Sequence, residues 1–167
     1  MARVLKDVAE RAGWGRTMPA NEGLGIGVGH GQERGMPTWV ACVAHVAVDP
    51  VSGDVTLKKL WQTIDVGTVV NPDGAMAQAE GAALWGVSLA LHEGASFADG
   101  DVAEQNLDRY TPLRMRDVHE LDIAFIDSEE FPSGLGEQPL IPVAPAIGNA
   151  IFAASVRRVR ELPIRLS

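Results

Sequence analysis

The sequence has few cysteines and no long apolar run, and each absence excludes a class of protein. Its 167 residues include one cysteine, Cys42. A single cysteine excludes an internal disulfide, and it excludes an iron–sulfur cluster held by this chain alone because such clusters need several thiolates. Cys42 lies in the apolar run Val40–Ala44, so we interpret it as a small buried side chain. No apolar run of about 18 residues occurs, and we expect no transmembrane helix.

Basic residues are also scarce. The chain has 14 Lys and Arg against 22 Asp and Glu, a net charge of −8 at pH 7. Because nucleic acids and anionic membranes are bound through clustered Lys and Arg, we predict no nucleic-acid partner. The histidines are scattered without the spacing of metal ligands, so we predict no metal site in this chain. They are His30, His45, His92 and His119.

Glycine, by contrast, is abundant and recurs at every second position from Gly23 to Gly31. In a strand this period places all of these glycines on one face of the sheet. A face without side chains lets another backbone or a ligand come close. Tight sheet packing is our preferred interpretation, and direct ligand contact is the alternative. The segment lacks the Gly-Lys-Ser/Thr of a phosphate-binding loop.

Hydrophobic periodicity predicts strands and helices without a regular strand–helix–strand alternation. The predicted strands cover residues 38–48, 55–64, 121–126 and 159–166, and the predicted helices cover 4–12, 72–91 and about 142–157. Since the strands come in hairpin runs, we predict an α+β fold with a mixed, largely antiparallel sheet and two main helices packed on it. We expect a single domain over residues 1–167. The chain opens within a helix that has no evident cap, which indicates a fragment of a longer protein or a split subunit.

One segment with chemical potential is the loop Gly134–Pro139, which carries Glu137 just before an apolar helix. Flanking glycines permit unusual backbone dihedrals and close contact with a ligand. An apolar setting disfavours the charged form of a carboxyl group and would make Glu137 a proton acceptor near neutral pH. The alternative is a solvated loop glutamate beside a helix N-terminus.

A second segment is the start of the helix at Asn71-Pro72, where Asn is a good N-cap and Pro suits the first helical position. Free amides at such an end can hold a phosphate group. On the helix behind it, Gln78 offers a donor and an acceptor, and Gly81 removes steric bulk one turn later. The alternative is a plain capped helix packed on the sheet, and Asp73 in the first turn argues against a bound anion.

Together these segments resemble the C-terminal region of the large subunit of the xanthine dehydrogenase/aldehyde oxidase family. Within that family the chain looks most like the isoquinoline 1-oxidoreductase β-subunit branch. The resemblance covers about residues 4–164, and its motifs are specific jointly rather than singly. They are Asn71-Pro72, Gln78–Ala82, Tyr110–Met115, Gly136–Pro139 and Ala150–Ala154.

The resemblance implies a function and roles for individual residues. The enzyme would be a molybdenum hydroxylase that hydroxylates a carbon of an N-heterocycle or an aldehyde with water. Glu137 would be the catalytic base that takes a proton from the molybdenum-bound hydroxide. Gln78 and Gly81 would contact molybdopterin cytosine dinucleotide, and Gly136 would let the glutamate loop approach the metal centre. Where the family commonly has Pro directly after the glutamate, Gln138 intervenes here, and we expect a looser loop.

The resemblance also implies partners. This chain is several times shorter than the family's large subunit, so we expect it to need the upstream part of that subunit and a small subunit with 2Fe–2S clusters. An isolated chain would then lack both cofactor and activity, and we expect an exposed apolar surface where the missing part docks, which a homodimer could cover. The alternative function is a non-catalytic domain that depends on a partner chain. The substrate would be a small molecule, and the compartment would be the cytoplasm or the periplasm.

Overall fold

The computed structural model describes residues 1–33, 35–118 and 120–166. Three α-helices and six strands are formed in this part of the chain, with two short 3-10 helices at Met115–Asp117 and Gln138–Leu140. The helices are α1 (Ala2–Arg11), α2 (Pro72–Leu91) and α3 (Val143–Ser155). The strands are β1 (Glu22–Glu33), β2 (Met36–Val48), β3 (Val55–Asp65), β4 (Phe97–Ala98), β5 (Asp101–Val102) and β6 (Glu120–Phe125).

Four strands form the main sheet in the order β1-β2-β3-β6. The β1–β2 and β2–β3 pairs are antiparallel, and β3–β6 is parallel. A parallel pair needs a long crossover, and the crossover from β3 to β6 includes α2 and the small β4–β5 hairpin. The predicted α+β fold with a mixed, largely antiparallel sheet is confirmed.

Helices cover both faces of this sheet. The side chains of Val4, Val8 and Ala12 at α1 pack against Val43 and Trp61. On the other face, α2 and α3 enclose a larger core with β2 and β3. The prediction of two main helices is correct for this second face, and the short N-terminal helix predicted at residues 4–12 provides the layer on the first.

The glycine face of β1 lies directly under α3. An added Cβ at Gly23 would be 2.7 Å from the Ala154 nitrogen, and one at Gly27 would be 2.5 Å from the Pro142 carbonyl oxygen. Since real Cβ atoms do not approach backbone atoms this closely, only glycine permits the contact. Tight packing, not ligand contact, is therefore the reason for the alternation.

Cys42 occupies the centre of the core between β2 and the covering helices, where its side chain is fully buried. Burial raises the pKa of the Cys42 thiol, and a contact with the Gln62 side chain opposes this effect more weakly. The interpretation of Cys42 as a buried structural residue is confirmed.

The predicted strand at residues 159–166 is wrong. From 157 to 166 the described chain forms no strand and crosses the end of α2 instead. The Ile164 N–H donates to the Ala90 carbonyl at 2.8 Å, and Ile164 and Leu166 bury their side chains in the core. The apolar pattern thus marked core contacts of an irregular tail. In the described part of the chain, no helix has the length and apolar character needed to span a membrane.

Candidate functional site

The loop that carries Glu137 connects β6 to α3 and is fixed to the protein along its length. The Thr68 N–H donates to the Glu130 carbonyl at 2.8 Å, and the Ser133 N–H donates to the Val66 carbonyl at 2.9 Å. Farther on, the side chain of Leu135 packs on the cluster formed by Val40, Ile64, Val66 and Ala79. The backbone that leads to Glu137 is therefore held in place by both polar and apolar contacts.

The two segments that the sequence singled out meet at this loop. The Gln78 side chain on α2 donates from Nε2 to the carbonyl oxygen of Gly136 at 2.8 Å. This bond joins residues 58 positions apart and places Gln78 beside the residue that precedes Glu137. Three of the four predicted site residues are thus brought together. The fourth, Gly81, lies on α2 three residues after Gln78.

Glu137 itself is exposed. Its backbone carbonyl begins the 3-10 helix by accepting from the Leu140 N–H at 3.0 Å. Within residues 1–33, 35–118 and 120–166, no group forms a hydrogen bond or ion pair with its carboxylate. The expectation of an apolar setting around the carboxylate is wrong for this chain by itself, because the described residues leave the side chain exposed.

Gly81 and Gly136 both border open space. An added Cβ at either position would meet no atom within 4 Å. The φ angle of Gly136 lies outside the left-handed region, so the expectation of unusual dihedrals at this glycine is wrong. What both glycines provide is uncovered backbone surface near Gln78.

Gln138 does not loosen the loop as expected. Its side chain is buried, and its Oε1 accepts from the backbone N–H of Glu137 at 3.2 Å. The last glycine of the β1 alternation makes room for it, since an added Cβ at Gly31 would be 2.7 Å from Gln138 Cγ. The inserted residue therefore anchors the loop to the sheet edge.

The N-terminus of α2 is a capped helix end. The Asn71 side-chain oxygen accepts from the Gly74 N–H at 3.1 Å, so this amide is already bonded within the chain. The predicted N-cap at Asn71 is therefore confirmed, and phosphate binding at this helix end stays a prediction.

Within the described part of the chain, the Gln78 side chain keeps one hydrogen-bonding atom free for a ligand. Gln78 Oε1 has no hydrogen-bond partner among the described residues, so an acceptor remains for the N–H groups of a pterin ring. The described residues contain no group of three His, Cys, Asp or Glu side chains that could hold a metal ion, and His119 lies outside them.

Two buried polar residues near the loop were not identified from the sequence as part of the site. Thr38 is 1% exposed and Gln62 is 0% exposed, and both donate hydrogen bonds to loop carbonyls. Gln62 could have been noticed because it is an amide in a strand segment, Leu60 to Ile64, that is rich in large apolar residues. Thr38 gave no such signal, because threonine is common in strands.

Comparison with known proteins identifies the family of this domain. The model of the molybdopterin cofactor-binding domain family matches residues 4–119. A relative from Gluconacetobacter polyoxogenes, named as a membrane-bound aldehyde dehydrogenase (pyrroloquinoline-quinone), is 50% identical over 98% of this chain and 21% of its own length. Isoquinoline 1-oxidoreductase subunit beta of Brevundimonas diminuta is 31% identical, also over 98% and 21%. The chain thus spans about one fifth of these relatives.

Solved structures give the same result for the fold. Aldehyde oxidoreductase from Desulfovibrio gigas is 28% identical with a TM-score of 0.65, over 76% of this chain and 14% of that chain. Quinoline 2-oxidoreductase from Pseudomonas putida 86 has a TM-score of 0.68 at 20% identity, over 72% of this chain and 16% of that chain, which supports the fold alone.

Proposed function

This chain belongs to the molybdopterin cofactor-binding domain family, and from this premise we propose that it forms one wall of the active site of a molybdenum hydroxylase. The family membership expected from the sequence resemblance is confirmed. The activity, the cofactor's nucleotide form, the substrate and the partners of the complete protein belong to the proposal.

The observation that carries the proposal is the hydrogen bond between Gln78 and Gly136. It joins the proposed cofactor-binding helix to the loop of the proposed base, at a surface where Gly81 and Gly136 leave backbone uncovered. A ligand that is hydrogen-bonded to Gln78 would therefore lie next to Gly136, the residue that precedes Glu137.

We assign the cofactor to this surface. When bound, a molybdenum cofactor supplies the acceptor for the two electrons that leave the substrate. Gln78 Oε1 would accept from a pterin N–H, and the open faces of Gly81 and Gly136 would let the ring system pack against backbone. The cytosine dinucleotide form is the more specific part of this assignment.

Glu137 would act as the general base. Conversion of a substrate C–H and a water molecule into C–OH releases two protons and two electrons, and a carboxylate next to the reacting oxygen can take the first proton. The loop is anchored while the carboxylate is exposed, so the chain positions the backbone at Glu137 and leaves the carboxylate available to a ligand. Relatives named for isoquinoline and for aldehydes suggest an N-heterocycle or aldehyde as substrate.

The rest of the large subunit would supply the other walls. The second half of α2, from Gly81 to Leu91, has no charged residue, yet Gly81 and Trp85 are exposed. A helix that is apolar on all sides is normally buried, which supports contact with further protein. A small subunit with 2Fe–2S clusters would carry the electrons away, since this chain's one cysteine cannot hold such a cluster.

The test is Glu137→Gln in the complete enzyme. We expect turnover to fall by a factor on the order of 100 to 10,000, the usual contribution of a general base, with unchanged molybdenum content. Glu129→Gln, an exposed glutamate on the same loop, is the matched control and should keep full turnover. Full turnover of Glu137→Gln would remove Glu137 from the mechanism, and pyrroloquinoline quinone without molybdenum in the active enzyme would reject the cofactor.

The alternative, a non-catalytic domain that depends on a partner chain, is tested in the assembled complex. The purified chain should show no molybdenum and no activity under either function, because a cofactor held from one side only should dissociate. If the assembled complex also showed full activity with Glu137→Gln and with Gln78→Ala, the alternative would be the better description.

A further inference from the structure

Two buried side chains of the sheet bind the Glu137 loop on either side of the glutamate. Thr38 on β2 donates from Oγ1 to the Gly134 carbonyl at 2.5 Å, and Gln62 on β3 donates from Nε2 to the Pro139 carbonyl at 2.6 Å. We propose that Thr38 and Gln62 are positioning residues that fix this loop for catalysis. The inference rests on the proposed role of Glu137.

The direction of each bond near Thr38 follows from its single hydroxyl proton. Since Thr38 donates to the Gly134 carbonyl, the Ser133 hydroxyl shares its one proton between Thr38 Oγ1 at 2.7 Å and the Pro37 carbonyl at 3.4 Å. One buried hydroxyl therefore holds two consecutive loop residues. The site is 1% exposed at Thr38, so water does not compete for these bonds.

Gln62 holds the loop through one of its two amide atoms only. Its Nε2 is bonded to Pro139, whereas its Oε1 is buried without a hydrogen-bond partner among the described residues. A buried unpaired amide oxygen is costly, and an apolar side chain of the same length would avoid that cost. The donor to Pro139 is what an apolar residue could not provide.

Thr38 and Gln62 bind the loop before and after Glu137. They hold carbonyls three residues before and two residues after Glu137, while Gln78 holds Gly136 between them. The carboxylate itself takes no part in these bonds. Loss of one anchor should let the loop shift, and a displacement of about 1 Å at a reacting group can lower a rate by as much as 100-fold.

The experiment uses the complete enzyme with Gln62→Met and Thr38→Val, and with Thr38→Ser as the control that keeps the hydroxyl. We expect kcat to fall by about 10- to 100-fold in the first two variants, with KM within about twofold and Thr38→Ser near wild type. In a Glu137→Gln background the same substitutions should lower kcat by less than about twofold, because their effect acts through Glu137.

Hydrogen–deuterium exchange provides a readout that does not depend on activity. The Leu140 and Ile141 amides, which bond to the carbonyls of Glu137 and Gln138, should exchange about 10-fold faster in both variants. Thr38→Val keeps the test available if Gln62→Met does not fold.

The outcomes separate this inference from the proposed function. Unchanged kcat in both variants, or an equal loss in the Glu137→Gln background, overturns the positioning role. If Glu137→Gln alone keeps full turnover, the proposed function fails, and exchange then decides whether the anchors hold the loop: faster exchange supports them and unchanged exchange overturns them.

Discussion

Replacing Gly25 with alanine should destabilise the fold, because α3 lies directly over this strand position. An added Cβ would overlap with the Ala146 carbonyl oxygen and the Ala150 nitrogen, and it would lie 2.6 Å from the carbonyl carbon of Asn149. Ordinary contact begins at about 3.4 Å. All three neighbours are backbone atoms, so none can rotate away and the helix itself must move.

The magnitude follows from two opposing effects. Alanine in place of glycine in a strand ordinarily gains about 0.5–1 kcal/mol of stability. Overpacking of a core costs about 1–3 kcal/mol, occasionally more, and a shift of α3 disturbs the buried Ile147 and Ile151 as well. We expect a net loss of about 2 kcal/mol in the free energy of unfolding, which lowers Tm by about 4–8 °C for a chain of this size.

Thermal and urea unfolding of the purified chain would measure this loss. Gly148→Ala is the matched control, since Gly148 lies in α3 with no atom within 4 Å of an added Cβ. That variant should gain about 0.5–1 kcal/mol from helix propensity. A Tm for Gly25→Ala equal to or above wild type would refute the close contact between β1 and α3.

Four further predictions concern other parts of the chain. Gly81→Ala should stabilise the isolated chain by about 0.5–1 kcal/mol yet lower the molybdenum content of the complete enzyme, and full occupancy would contradict a cofactor at this surface. The backbone N–H groups of Ser52 and Val51 donate to Asp49 and hold the pKa of its carboxyl below the usual value of 3.8. The stability that the ionised carboxyl contributes to the fold is therefore present at neutral pH and is lost as the pH falls through the lowered pKa. An unshifted pKa of Asp49 in an NMR titration would argue against the turn. Cys42 should react with thiol reagents only as fast as the chain unfolds, and rapid labelling would disprove its burial. The isolated chain should form a dimer through the exposed face of α2, and Trp85→Glu should return it to a monomer in ultracentrifugation, whereas a monomeric wild type rejects the dimer.

Local patterns predicted most of the helices and strands. The helix over 72–91 is α2 with the same bounds, because Asn71 and Pro72 define its start through their own chemistry. The strand over 55–64 differs from β3 by one residue. The prediction of a strand over 159–166 was wrong because alternation of apolar residues also arises where an irregular segment inserts side chains into a core.

The individual residues of the candidate site were predicted from the sequence, but their proximity was not. Gln78, Gly136 and Glu137 each stood out by residue type and by family resemblance, but their proximity depends on a bond across 58 positions. Gln138 looked like an insertion that loosens the loop, and only its packing against Gly31 shows that it anchors the loop.

The sequence by itself determined the periodicities, the helix cap at Asn71 and the excluded classes of partner, since these depend on neighbouring residues and composition. It also indicated that a backbone or a ligand could come close to β1, because a glycine face has no side chains. Which element lies there was decided only by the tertiary structure, as was the role of Gln62. The physical reason is that a backbone contact or a buried hydrogen bond depends on where distant segments meet, and no local pattern encodes that meeting.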